Sequence, residues 1–315
     1  MRQTATAGQS PQPRPGAAPV VRPKNALQIA LGNVATTFRS LRRNRAGFIG
    51  FLLVMAIIVL CFIGPFFIPL DPSSHVDRIY EPPSWHLPLG TDYSGRSVWP
   101  QVVHGGAQAL EVAFVAATIS TLISIVLGAL SAYSGGRLDA FIVAAADIFL
   151  TLPTFIILAV IAATFRPRNI FLLALILGLL TWPGLLRAVR AQVLSIKERD
   201  YIEAARCLGL RRTHIVMNEI LPNMAGYIII SFIFSVTATM LLQVNLVAFG
   251  LVPITGDNWA IQIYQAAYQK GALYNPDSSG YIMGPITAII LFQFGLVTMT
   301  RSLEEIFNPR LRENL

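Results

Sequence analysis

The sequence predicts an all-α membrane protein with six transmembrane helices. Of its 315 residues 54% are hydrophobic and only 13% charged, and the mean hydropathy is +0.59. Soluble globular domains carry about 25% charged residues, so this chain has too little polar surface to enclose a water-soluble core. Six apolar runs approach the roughly 20 residues that a helix needs to cross a hydrocarbon core. Lysine and arginine divide unevenly between alternate connecting segments, as loops on opposite sides of a membrane do. Disorder, collagen and a disulfide scaffold are excluded for the bulk of the chain. Its two cysteines, Cys61 in an apolar run and Cys207 in a basic stretch, do not suggest a structural disulfide.

The six runs are 46–70, 112–133, 138–165, 170–186, 224–252 and 282–300. The first has a Gly64-Pro65 break near its end. The third carries Asp139 at its edge and Asp147 inside, and the fourth is short and interrupted by Trp182-Pro183-Gly184. Six crossings put both chain ends on one side. With the N-terminus cytoplasmic, the inner segments hold 19 of the 24 basic residues and the outer ones five: Arg78, Arg96, Arg166, Arg168 and Lys270. This predicts an N-in, C-in orientation. It also accounts for the net charge of +8 without nucleic acid. Arg166 and Arg168, either side of Pro167 in a short outer loop, are the local exception.

Residues 1–24 are rich in Pro, Gly, Ala, Thr and Gln and read as a disordered cytoplasmic tail without a secretory signal. In 25–45, Leu27, Leu31, Val34, Phe38 and Leu41 share one helical face, followed by Arg39, Arg42, Arg43 and Arg45. This predicts an amphipathic interfacial helix on membrane lipid, with packing against other protein as the alternative. The remainder, 46–315, is the transmembrane domain. Outer loop 71–109 is dense in turn signals (Asp71-Pro72, Pro82-Pro83, Leu87-Pro88, Gly90, Gly95) and should be structured. Outer loop 253–281 holds Trp259, Tyr264, Tyr268, Tyr274 and Tyr281, which suggest an interfacial aromatic belt.

The inner loop 187–222 is the most informative segment. Asp200 and Glu203 have capping-box spacing, predicting a helix from near Tyr201. Tyr201, Ala204, Ala205 and Leu208 are placed on one apolar face, and Gly209 is a natural stop. A second short helix is expected over 213–221, closing on Ile220-Leu221-Pro222-Asn223. A helix–turn–helix with a small apolar face and a basic rim is suited to docking into a partner's groove.

This order of residues resembles the Glu-Ala-Ala loop of permease subunits of binding-protein-dependent ABC importers, here Glu203-Ala204-Ala205, Gly209 and Ile220-Leu221-Pro222. Leu89-Gly90-Thr91-Asp92-Tyr93-Ser94-Gly95-Arg96 is similar to an outer motif of the dipeptide/oligopeptide permease group. So are Gly135-Gly136-Arg137-Leu138-Asp139 with Asp147 and Leu152-Pro153, and the ending Asn308-Pro309-Arg310-Leu311-Arg312. The resemblance covers about residues 40–315. It implies a type I ABC importer permease, paired with a second homologous permease, two ATPase subunits and an extracytoplasmic binding protein. ATP and Mg would be bound in the ATPases, and Glu203, Ala204, Ala205, Leu208, Gly209, Ile220, Leu221 and Pro222 would form the ATPase-docking element. The implied substrate is a peptide, with oligosaccharide, glutathione or nickel as alternatives. Two departures, Gly105-Gly106-Ala107 where the group commonly has Gly-Ala-Arg and a long loop after Phe249-Gly250-Leu251, bear on substrate class rather than coupling.

No enzyme is predicted in this chain. A Walker A loop ends in Gly-Lys-Ser/Thr, whereas Lys24, Lys197 and Lys270 precede Asn25, Glu198 and Gly271. His75, His86, His104 and His214 lack metal-ligand spacing, and there is no Gly-x-Ser-x-Gly elbow. These absences weigh against an intramembrane hydrolase, and the docking element against a channel. An acid inside a span costs about 2.5–3.5 kcal/mol on insertion scales, so Asp147 should face protein or a water-filled path. It is a candidate for the translocation path or for a structural acid between helices. Glu111, at the outer edge of the second span, reads as solvated.

Overall fold

The computed structural model describes residues 44–165, 169–250 and 258–307. The expected tail 1–24, the amphipathic segment up to Arg43, Arg166, Arg168 and the ending Asn308 to Arg312 lie outside the described residues.

The architecture is helical. Helix α1 (Arg45–Ile63) starts at Asn44, whose side chain accepts from the Gly47 N–H at 3.2 Å, and passes into a 3₁₀ turn over Gly64–Phe66. Helix α2 (Val98–Ser134) has 37 residues and is therefore about 55 Å long, more than a hydrocarbon core requires. It stops at Gly135, where φ is +64°. Helices α3 (Gly136–Thr151) and α4 (Thr154–Phe165) follow, then α5 (Ile170–Lys197), capped by Asn169. Two short elements follow, α6 (Asp200–Cys207) and α7, which is α-helix over Arg212–His214, π-helix over Ile215–Ile220 and α-helix over Leu221–Asn223. Helix α8 (Ala225–Ala248), α9 (Trp259–Tyr264) and α10 (Ser279–Phe307) complete the order.

Small residues set the packing. Where lipid removes the hydrophobic drive between helices, close backbone approach supplies van der Waals contact. A Cβ on Gly50 of α1 would lie 2.8 Å from the Gly295 carbonyl of α10, and one on Gly295 would lie 2.8 Å from Val54. Asn44 donates to Glu305 at 2.7 Å, so α1 and α10 run antiparallel, with Asn44 and Glu305 at the same end. Gly178 of α5 lies against Ala116 and Ile119 of α2, and Gly128 of α2 against Leu186 and Val189 of α5. These two helices therefore run side by side in the same direction. Gly106 of α2 abuts Cys61 of α1 and the Trp259 ring, which places the start of α2 beside the end of α1.

Five helices are long and apolar enough to cross a membrane, and α3 with α4 makes a sixth if taken as one span. The third run is not one straight helix: α3 and α4 meet at 83° across Leu152-Pro153. Proline has no N–H to continue the ladder and pushes the preceding residue out of the helical region. Leu152 accordingly sits at φ −87°, ψ 135°. The broken pair still has to traverse the bundle. It begins where α2 ends, and because α5 runs parallel to α2, the next helix starts from the opposite end.

The fourth run also differs from its sequence reading. Pro183 does not interrupt α5, which continues to Lys197. Pro183 removes one backbone bond, but prolines persist in membrane helices where neighbouring groups supply polar partners. The bond it removes is the one to the Leu179 carbonyl; next to the proline, the Ser124 hydroxyl of α2 donates to the Trp182 carbonyl at 2.9 Å and links the two helices. Arg187 and Arg190 thus lie on a rigid helix rather than in a loop.

Candidate functional site

At the end of the bundle that holds Asn44 and Glu305, α6 and α7 form a small platform. Ile202, Ala205, Ile215, Ile220 and Met224 are buried against Ala129, Ala132, Val189 and Val193. Ile202 is the anchor that the sequence reading missed, and the Ile202–Ala205 spacing of three was its signal. The single apolar face expected for α6 is two faces. Ala205 is 7% exposed and points inward, whereas Tyr201 (38%), Ala204 and Leu208 (79%) form the outward ridge. An α-helix places positions 201, 204 and 208 on one side, and 205 turns toward 202.

The expected capping box is absent. Arg199 occupies the cap position with φ −81°, ψ 145° and no side-chain hydrogen bond, so Asp200 is already the first helical residue. A capping side chain must precede the first helical residue. Asp200 and Glu203 instead place two carboxylates in the first turn, where they complement the helix dipole. Gly209 has φ +72°. Its N–H donates to the Arg206 carbonyl at 2.9 Å, and the Leu210 N–H donates to the Ala205 carbonyl at 3.3 Å. This is a Schellman closure. Of Ile220-Leu221-Pro222, Ile220 is buried, Leu221 half-buried and Pro222 exposed. Pro222 cannot make the α-helical bond to residue 218, and the ladder just before it is π rather than α.

Two arginines of α5 hold the two acids of α3. Arg190 donates to both carboxylate oxygens of Asp139 at 2.7 Å each, and the Ser131 hydroxyl donates to the same group. Arg187 pairs with Asp147, with Nε at 3.1 Å. A separate cavity of ≈ 330 Å³ opens between α5 and α8, lined among others by Thr181, Gly184, Tyr227, Ser231 and Ser235. Asp147 is not among its lining residues.

The segments around 71–102 and 258–281 interlock. Asp92 is fully buried and accepts from the N–H groups of Ser94 and Arg96, the Arg96 side chain and the Gln101 amide, all at 2.8–3.0 Å. Thr91 joins Glu81 and Arg78. Gly95, at φ +76°, lies so close to the His75 carbonyl that no side chain fits. Outside this knot, hydrogen bonds from Ser73 and His75 hold the Asp71 carboxyl below its usual range. Lys270 lies 4.1 Å over the Tyr93 ring, and Trp259 donates to the Val102 carbonyl at 2.7 Å. Trp259 and Tyr281 are buried core residues, not members of an interfacial belt, while Tyr268 and Tyr274 are exposed. Trp259 packs on α2 at Val102 and Gly106, and Tyr281 of α10 lies beside Tyr93 and donates to Gln265 at 3.4 Å. Glu111 is exposed, as expected.

Residues 124–313 match the family described as "Binding-protein-dependent transport system inner membrane component". The chain belongs to that family. Residues 34–83 match a second family, the N-terminal transmembrane domain of oligopeptide transport permease C. The oligopeptide transport system permease protein OppC of Mycobacterium bovis is 31% identical over 68% of this chain and 75% of its own. OppC of Haemophilus influenzae is 27% identical over 86% of both chains. OppC of Bacillus subtilis is 25% identical over 86% of this chain and 88% of its own. A solved structure titled for inward-facing conformations of the MetNI methionine ABC transporter aligns with 64% of this chain and 96% of its own, at 24% identity and a TM-score of 0.47. As an inner membrane component of a binding-protein-dependent system, this chain is a multi-pass permease.

Proposed function

We propose that this permease forms half of the translocation path of an ATP-driven peptide importer. It pairs with a second, homologous permease, and one of the importer's two ATPase subunits docks on its inner platform. An extracytoplasmic binding protein delivers substrate to its outer face. ATP and Mg act in the ATPases. The observation that carries this reading is the ridge of Tyr201, Ala204 and Leu208: an exposed apolar surface on a helix fixed from behind by Ile202 and Ala205 and locked at Gly209. A partner pressing on that ridge moves α5, α7 and α8 with it. ATP-driven closure of the ATPases then shifts the population between inward-open and outward-open states.

The orientation goes with this role: the platform end, both chain termini and the loop 187–222 are cytoplasmic. The α5–α8 cavity, with its hydroxyls and small residues, is the portion of the path contributed by this chain. Asp147, neutralised by Arg187, serves as an interhelical acid. The peptide assignment draws on the named relatives. Oligosaccharide, glutathione and nickel remain the alternative cargoes, because the binding protein makes the selection.

The test is the ATPase rate of the purified complex in lipid, with and without peptide-loaded binding protein. A rate raised by the loaded binding protein, with peptide accumulating in the vesicles, is expected. A chain that associates with no ATPase, or a rate indifferent to the binding protein, overturns the proposal.

A further inference from the structure

Beside the platform lies a cavity of ≈ 370 Å³, lined among others by Tyr133, Lys197, Arg206 and Arg212. Four elements meet there: the last turn of α2, the end of α5, α6 and the start of α7. Its lining contains three cations and no acid. Lys197 Nζ and the Arg206 guanidinium stand 5.5 and 5.7 Å from the Tyr133 ring centroid. Among the described residues no carboxylate lies within 4.0 Å of any of the three cations. Glu198 and Glu203 border a neighbouring depression that Lys197 and Arg206 also line, and neither acid lines the cavity itself.

Three like charges face this cavity with no acid in its lining, and an anion entering it relieves their mutual repulsion. Lys197 also donates to the Ala132 and Tyr133 carbonyls at 2.8 and 3.2 Å. It thereby covers the negative pole at the end of α2 that would otherwise repel an anion. The two arginines contribute guanidinium forks, whose geometry matches phosphate oxygens. Arg206 is two residues from both Ala204 and Leu208, about 200° around the helix. The cavity consequently opens on the flank opposite the docking ridge and stays accessible when that ridge is covered.

We propose that this cavity is a phosphate-binding site. The phosphate is either the headgroup of an anionic phospholipid or the free anion, and bound there it braces α6 against α2 and α7. The site does not depend on the transport reading above.

The test uses the purified full-length chain in neutral detergent. Short-chain phosphatidylglycerol, phosphatidylcholine and inorganic phosphate are offered in turn, and binding is followed by native mass spectrometry and calorimetry. Arg206→Gln/Arg212→Gln should weaken binding roughly 30-fold through the loss of two charges. Arg206→Lys/Arg212→Lys, which keeps the charge and loses the fork, should weaken binding less than the glutamine pair, and the exposed control Arg137→Gln should retain it. Binding of phosphatidylglycerol but not phosphatidylcholine assigns the lipid, and binding of inorganic phosphate alone assigns the free anion. A second measurement needs no variant: the ligand should protect Arg206 and Arg212, but not Arg137, from phenylglyoxal modification. Equal modification with and without ligand, binding of none of the probes, or equal weakening by Arg137→Gln overturns the proposal.

Discussion

Arg190 on α5 grips both carboxylate oxygens of Asp139 on α3, each at 2.7 Å. The pair ties the first turn after the Gly135-Gly136 corner to the helix that leads into the platform. Both side chains are less than a third exposed, so removing either partner should cost about 1.5–3 kcal/mol, the range for hydrogen bonds to charged groups. Lysine cannot reproduce the fork, so Arg190→Lys should lower the thermal midpoint of the chain in detergent nearly as much as Asp139→Asn. The double variant should lose less than the sum of the two. Additive losses, or no loss, would show that the pair does not hold the helices.

Asp147 and Arg187 make a weaker case. Their side chains are 45% and 52% exposed, which limits the net value of the pair to about 0.2–1 kcal/mol if water reaches it. In a bilayer the larger effect is an orphaned charge. Arg187→Ala should reduce the amount of chain recovered in the membrane, and adding Asp147→Asn should restore it. Asp147→Asn alone should be better tolerated, because Arg187 can carry its unpaired charge toward the interface on its long stem, and it should assemble and transport. Lost uptake with intact assembly would instead place Asp147 in the translocation path.

The two faces of α6 separate coupling from folding. Ala205→Leu should destabilise the chain by about 1–3 kcal/mol, because the buried side has no room. Ala204→Leu should leave the melting point unchanged while abolishing stimulation of the ATPase by loaded binding protein. With no capping box to disturb, Glu203→Gln removes only charge, and reduced stimulation there would identify an ionic contact with the ATPase. A Cβ on Gly209 meets no neighbouring atom within 4 Å, so Gly209→Leu should cost roughly 1–2 kcal/mol through its left-handed backbone. Full stimulation in Ala204→Leu would remove the ridge from the docking surface.

Topology can be read with cysteines placed at the exposed positions Ser84 and Ser195. Native Cys207 is exposed and must first become serine, whereas Cys61 is buried. In intact cells an impermeant maleimide should label position 84 and leave position 195 unlabelled. The reverse pattern would invert the orientation.

Hydropathy and the lysine–arginine count were sufficient for the helical class, the number of apolar runs and the existence of a helical inner element, because each depends on local composition. Proline chemistry shows which limit such reading has. Leu152-Pro153 breaks its helix by 83°, while Pro183 lies inside an unbroken one. The two prolines read alike in the local pattern, and only the folded chain separates them. The same holds at the site. Glu203-Ala204-Ala205 and Gly209 mark α6 in the sequence, yet only packing against Ile215 and Val193 decides that Ala205 turns inward and Ala204 outward. Asp92 reads as one polar residue in a loop until the fold gathers donors from Ser94, Arg96 and Gln101 around it. Sequence by itself determined where apolar and basic residues fall, and so the membrane character and the segments that can be helical. Tertiary structure alone decided which face of α6 is free and which arginine neutralises which acid, because those outcomes depend on side chains brought together by packing across dozens of residues of chain.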